Sequence, residues 1–331
     1  MSGTAAGGET AQQAERPSVL VLIPLPDATL EALRRDYTVR YYPDGPADAL
    51  LAPSQHPVPA WTATIRGVVT NGSTGLSEAQ MALLPALEIV SAFGAGYENV
   101  EVAAAARRGV VVTHAPGANA ATVADHALGM LLALARGYTP LTAAVRQGQW
   151  RESRGERATL TGATLGILGM GRIGRLIAAR AQGFAMTIGY HARRAQADAP
   201  GHYYADLMQL AAASDFLVIA CNGGPATRHL VNRAVLQALG PHGYVVNVAR
   251  GSVLDTAALL GALHEREIAG AGLDVLEGEP EVPEALLHCA DVLLTPHVAG
   301  RSPAALLAQR DALLGSLAQH FAHAPVAFAV P

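Results

Sequence analysis

Three side chains in the second half of this sequence have the types and the setting for acid–base chemistry next to a bound anion. Arg250 stands in NVARGSVLD (247–255), Glu279 in GLDVLEGEP (272–280) and His297 in LLTPHVAG (293–300). Each follows a short apolar run of strand character. Each is therefore placed at the carboxyl end of a strand, the edge at which open parallel α/β sheets hold their ligands. An arginine there forks a carboxylate with two hydrogen bonds. A glutamate and a histidine on neighbouring strand-end loops can pair, the carboxylate holding the imidazole's orientation and favouring its charged form. A single histidine of this kind reads as a satisfied loop residue, and a single arginine as half of a surface ion pair. All three in succession read as catalysis.

A second constellation precedes these. In TLGILGMGRIGRLIAAR (164–180) an apolar stretch runs into Gly169, Gly171 and Gly174, and a helical pattern begins at Ile173. This is G-x-G-x-x-G between a strand and a helix, the setting that binds a dinucleotide pyrophosphate. Gly169 makes the turn, Gly171 lets a phosphate approach the backbone, and Gly174 lets helix and strand pack closely. The N–H groups around Arg172 and Ile173 open a helix N-terminus, which suits an anion. The next strand ends in MTIGYHARR (186–194), where a carboxylate would take the ribose 2′-hydroxyl of NAD. No Asp or Glu follows until Asp198. His191, Arg193 and Arg194 stand there instead, a cluster that matches a 2′-phosphate, so NADP(H) is expected to be favoured over NAD(H).

These residues need a scaffold, and the rest of the chain describes one. Apolar runs at 18–24, 67–70, 88–92 and 109–113, and again at 186–190, 215–220, 244–249, 271–275 and 291–295, alternate with helical stretches such as 204–212 and 255–265. Such alternation argues for parallel sheets covered on both faces. The expected class is α/β, two doubly wound Rossmann-like domains with a cleft between them. Residues 116–299 form the dinucleotide-binding domain. Residues 17–115 plus 300–331 form the substrate domain, closed by an Ala/Leu-rich last helix at 303–322. Residues 1–16 read as a disordered tail. The run 119–137 reads as a long uncapped apolar helix able to cross from lobe to lobe, and 138–160 as an exposed polar arm.

The 331 residues are 50% hydrophobic and 15% charged, as in a globular chain. No apolar run reaches the roughly 18 residues of a membrane span. A net charge of −4 gives nucleic acid no foothold. Cys221 and Cys289 each sit beside an apolar run and read as buried free thiols, which fits a reducing cytoplasm. His320 and His323 are at helical spacing but lack a third ligand, so no metal is expected.

The ordered set GMGRIG (169–174), NVARGSVLD, DVLEGEP (274–280) and TPHVAG (295–300), preceded by TNGSTGLS (70–77) and FGAGYENV (93–100), resembles the D-isomer-specific 2-hydroxyacid dehydrogenases. The resemblance covers nearly all of 18–322. It implies that Arg250 binds the substrate's carboxylate and carbonyl, that His297 is the acid–base, and that Glu279, second acid of the ExEP pattern after Glu277, is its partner. It implies that Asp274 holds the nicotinamide carboxamide and that Gly94 and Ala95 offer backbone N–H groups to the substrate carboxylate. Val248 and His297 fall among the cofactor contacts. Asn71 falls in the substrate pocket with Tyr97 and Trp150, the last being equally an anchor for the arm. The basic YHAR at 190–193 is similar to that of the NADPH-using glyoxylate/hydroxypyruvate reductases. The expected activity is NADPH-dependent reduction of a small 2-keto acid to the D-2-hydroxy acid, by a cytoplasmic homodimer. Formate dehydrogenases of this fold pair the histidine with Gln, and phosphite dehydrogenases carry a Lys in the loop that is FGAGY here. A non-catalytic NAD(H)-sensing corepressor, or a dehydrogenase for another 2-hydroxy acid, is the alternative.

Overall fold

The computed structural model of the protein describes residues 16–43 and 59–331, so the expected tail, but for Arg16, lies outside the described residues. The chain divides into two compact units, Met1–Pro116 with Gln309–Pro331, and Gly117–Ala308.

In the first unit, β1 (Ser18–Val21), β2 (Thr38–Tyr41), β3 (Ile65–Thr70), β4 (Ile89–Ala92) and β5 (Val111–Thr113) form a parallel sheet in the order β2-β1-β3-β4-β5. Side chains alternate between faces along each strand. Val19, Val21, Val69 and Ile89 pack with Leu313 and Leu317 of the last helix, Pro303–Phe321. Leu20, Val68, Val90 and Val112 form the core of the opposite face. β2 is an edge strand whose residues alternate exposed and half-buried, and it lacks the apolar run that betrays its neighbours.

The second unit holds β6 (Thr164–Leu168), β7 (Thr187–His191), β8 (His202–Tyr203), β9 (Phe216–Ile219), β10 (Tyr244–Asn247), β11 (Gly270–Leu273) and β12 (Val292–Leu294). They form one parallel sheet in the order β12-β11-β10-β9-β6-β7-β8. The order reverses between β6 and β9, the kind of switch point at which such sheets bind ligands. Helices Ala120–Arg136 and Arg172–Gln182 bury Ala124, Leu131, Ile177 and Ala178 against one face. Helices Leu207–Ala212, Arg233–Leu239 and Thr256–His264 cover the other with Leu210, Leu236 and Leu259. All three are capped by their preceding side chains: Asp206 accepts from the Met208 amide at 2.9 Å, Asn232 from Val235 at 3.2 Å and Asp255 from Ala258 at 3.0 Å.

Three expectations change. Helix Ala120–Arg136 does not cross from lobe to lobe: it belongs wholly to the second unit, where Gly272 of β11 leaves room for Met130 and Leu134. Nor is it uncapped, since Gly137 ends it in the left-handed conformation at φ 64°. The chain returns to the first unit at Gln309, inside the last helix and not ahead of it. The arm contains a helix, Tyr138–Arg146, that buries none of its residues, and Trp150 beyond it is 65% exposed. No single helix among the described residues is long and apolar enough to cross a membrane.

Candidate active site

β6 runs into the helix Arg172–Gln182 through the three glycines. Gly169 has φ 102°, and a Cβ there would stand 2.6 Å from the backbone of Cys221, just past β9. Only glycine makes this turn so close to the neighbouring strand. A Cβ at Gly174 would strike the Gly169 carbonyl, so helix and turn touch directly. At Gly171 a Cβ would meet no atom within 4 Å, and the space outside it is open. The amides of Arg172, Ile173 and Gly174 lie in the first helical turn and have no acceptor within the helix. The Arg172 side chain lies over Gly117, and Val248 is buried just past β10. A further acceptor stands nearby in the fold: Asn119 Oδ1, buried, without a hydrogen-bond partner among the described residues, on a side chain packed against Gly300. These features together fit a dinucleotide.

At the end of β7 the buried Tyr190 takes the Gln196 amide on its hydroxyl at 3.0 Å, which curls the following loop back. His191 Nδ1 donates to the Tyr204 carbonyl at 2.9 Å, leaving Nε2 as the ring nitrogen open to a ligand. Arg193 and Arg194 are exposed, and neither makes an ion pair or hydrogen bond among the described residues.

The ends of β10, β11 and β12 are built differently. Buried Asn247 braces the chain past β10: its Oδ1 accepts from the Ala249 amide and its Nδ2 donates to the Arg250 carbonyl, both at 3.0 Å. The stem of Arg250 lies against Gly223, where a side chain would collide with it. Asp274, 2% exposed, anchors the loop past β12. Its Oδ1 accepts from Thr295 Oγ1 at 2.6 Å and from the Val298 amide at 2.9 Å; its Oδ2 accepts from the Ala299 amide at 2.9 Å. Its carbonyl takes the His297 amide at 2.8 Å. His126, from the helix beneath, reaches Thr295 Oγ1 at 3.0 Å. This grip holds His297 at φ 52°, a left-handed backbone that costs energy without glycine.

His297 Nδ1 then donates to Glu279 Oε2 at 2.8 Å, while Glu279 Oε1 accepts from the Leu276 amide at 2.8 Å. Burial pulls the Glu279 carboxyl upward. The hydrogen bonds from His297 and Leu276, helped by the charges of His297 and Arg250, outweigh it and hold the group below the usual carboxylate range. A carboxylate can only accept, so Nδ1 carries the hydrogen and Nε2 is the ring nitrogen left for chemistry. Sequence reasoning found the pair but not its foundation. Asp274 as the pillar of the His297 loop shows no local signal, and Glu277 is engaged elsewhere, with Arg228 and His229.

In the first unit the loop past β4 has both its early carbonyls taken. The Ala115 amide donates to Gly94 at 2.7 Å, and His114 Nδ1 donates to Ala95 at 2.9 Å. The amides of Gly94 and Ala95 donate to no carbonyl among the described residues, which suits a carboxylate. Tyr97 packs edge-on against His114. Asn71 closes a turn, its Oδ1 accepting from the Thr74 amide at 2.7 Å, so its NH2 group is the part left for a ligand. Both cysteines are free but half-buried, less enclosed than expected, and burial pushes the Cys221 thiol up to about 11. Among the described residues no group of three or more His, Cys, Asp or Glu is placed to hold a metal ion.

Residues 128–299 match the profile of the D-isomer specific 2-hydroxyacid dehydrogenase, NAD binding domain. Hydroxyphenylpyruvate reductase from Plectranthus scutellarioides is 39% identical over 80% of this chain and 84% of its own length. A glyoxylate/hydroxypyruvate reductase from Arabidopsis thaliana is 39% identical over 78% of this chain and 83% of its own. The crystal structure of an NADPH-dependent glyoxylate/hydroxypyruvate reductase from Sinorhizobium meliloti, in complex with NADP and malonate, shares the fold with a TM-score of 0.87 and 39% identity, covering 96% of this chain and 97% of that one. The chain belongs to the D-isomer specific 2-hydroxyacid dehydrogenase family, and it is an oxidoreductase that works with a nicotinamide dinucleotide.

Proposed function

We propose that the protein reduces a small 2-keto acid of the glyoxylate or hydroxypyruvate type to the D-2-hydroxy acid, with NADPH preferred to NADH. The observation that carries this reading is the His297–Glu279 pair at 2.8 Å with the Arg250 charge acting on the same carboxylate. When bound, the nicotinamide supplies the hydride. His297 enters as imidazolium and gives its Nε2 proton to the ketone oxygen, while Glu279 keeps the other ring nitrogen oriented. Arg250 takes the substrate carboxylate and offsets the negative charge that grows on the carbonyl oxygen. Asp274 Oδ2 carries one hydrogen bond within its loop and has capacity for a second, from the cofactor's carboxamide.

NADPH preference is supported by the unpartnered Arg193 and Arg194 at the end of β7 and by the want of a carboxylate there before Asp198. The S. meliloti relative's NADP complex supports it as well. A second copy of the chain is the partner we propose for the arm, whose Tyr138, Val145 and Trp150 are exposed. The test is a panel of 2-keto acids offered with NADPH and with NADH. Turnover of glyoxylate or hydroxypyruvate, faster with NADPH, is the expected result; no turnover of any 2-keto acid would overturn the reading.

A further inference from the structure

The carboxylate of Glu277, two residues from the acid–base partner, is held by a side chain from a different loop. The segment after β9 passes Arg250 at Gly223, where a Cβ would stand 2.6 Å from the arginine's Cγ. It then reaches His229. There the ring's Nε2 donates to both oxygens of Glu277, at 2.9 and 3.1 Å. Nδ1 stands 3.6 Å from Asp255 Oδ2, and the His229 amide donates to the Ser252 carbonyl at 2.8 Å. One residue therefore holds both the loop that begins with Arg250 and the loop that carries Glu279. Those loops already touch where Gly251 lies directly on the backbone of Leu276 and Glu277, with no room for a Cβ. His229 also has φ 51°, a backbone that glycine or asparagine adopts more cheaply. A histidine kept at that cost points to a need for its side chain.

We propose that His229 is a positioning residue for the reaction: it locks the Arg250 and Glu279 loops in register and so fixes Glu279 against His297. The proposal rests on the reading of that pair given above. The charged groups around the ring are Glu277, Asp255 and Arg228. Arg228 also bonds Glu277, at 2.8 Å, but its side chain is 58% exposed and it touches one loop only, so it contributes little. A slackened Glu279 no longer fixes the His297 ring, so Nε2 is less often aimed to give its proton.

The experiment compares His229→Asn, Glu277→Ala and Arg228→Ala with wild type. Asparagine tolerates the left-handed backbone but is too short to reach Glu277, and Glu277→Ala breaks the same contact from the other side. Two readouts are taken: kcat and KM for glyoxylate reduction, and the NMR signal of the His297 Nδ1–H that bonds Glu279, in the cofactor-free protein. NADPH affinity by fluorescence is the control. Expected for His229→Asn and Glu277→Ala is a fall in kcat on the order of tenfold, with little change in KM or in NADPH binding, and an Nδ1–H signal that shifts upfield or is lost to exchange. Arg228→Ala should stay within about twofold of wild type. Folded variants at both positions with an unmoved Nδ1–H signal and wild-type kcat would overturn the proposal. If wild type reduces no 2-keto acid but the Nδ1–H signal still moves in the variants, the positioning stands and the reaction assignment falls.

Discussion

Two edges of the same sheet treat their functional side chains in opposite ways. Past β10, β11 and β12, Glu279 and His297 are bonded to each other, Asp274 anchors the loop that bears His297, and Asn247 braces the chain under Arg250. At the end of β7, Arg193 and Arg194 reach into solvent with no partner among the described residues. The first edge is organised before any ligand arrives, so little of a ligand's binding energy goes into ordering it. The second has no such bonds among the described residues. Proton transfer tolerates little misplacement, whereas distinguishing a 2′-phosphate from a hydroxyl needs only that a cation be within reach.

The comparison can be broken at either edge. The largest effect is expected from His297→Ala, with kcat lower by on the order of a hundredfold or more and NADPH affinity little changed, measured by steady-state rates and fluorescence titration. A near-normal kcat would show that the preformed pair is not the proton donor. Next comes Arg250→Lys, which keeps charge but loses the planar fork. A drop of roughly ten- to a hundredfold in kcat/KM for the keto acid is expected, and an unchanged value would mean the fork is dispensable. At the other edge, Arg193→Ala should reduce a preference of at least about tenfold for NADPH to near parity, with NADH kinetics nearly intact. If discrimination survives, the basic turn is solvent-facing decoration.

The smallest effect is in stability and sharpens the account of Glu279. Its carboxyl is held below the ordinary range in the folded protein. A group so depressed contributes stability that is complete above its unfolded value and is lost as pH falls through the lower folded value. Glu279→Gln should therefore melt on the order of 2–4 °C below wild type at neutral pH. The gap should close in acid, below the usual carboxylate range. A gap that persists there would mean the loss is one of packing.

The sequence made much of this legible because the signals are local. Strand, glycine turn and helix are contiguous at 164–180, and Arg250, Glu279 and His297 each follow their own apolar run, so strand-end placement needs no knowledge of the fold. What stayed hidden depends on which strands lie side by side. Asp274 bonds Thr295, Val298 and Ala299 only because β11 and β12 pair in their observed register. His229 meets Glu277 across 48 residues of chain, and nothing near either residue announces the other. β2 and β8 were illegible for another reason: edge strands need no continuous apolar run. The helix 120–136 looked like a bridge because its apolar character shows that it is buried, not what it is buried against.

The division of the chain at Gln309 bears on synthesis. Val19, Val21, Val69 and Ile89 precede the Gly117–Ala308 unit in the chain, yet Leu313 and Leu317, which cover them, are translated only after it. At the usual 5–20 residues per second, the interval from the end of β5 to the end of the last helix is roughly 10 to 40 s. For that time the nascent first sheet has an uncovered apolar face, while the Gly117–Ala308 unit, contiguous in sequence, is being completed. The ribosome thus delivers the cofactor-binding unit whole before the first unit can close, and a chain stopped short of Leu313 would leave an aggregation-prone surface next to a folded dinucleotide domain.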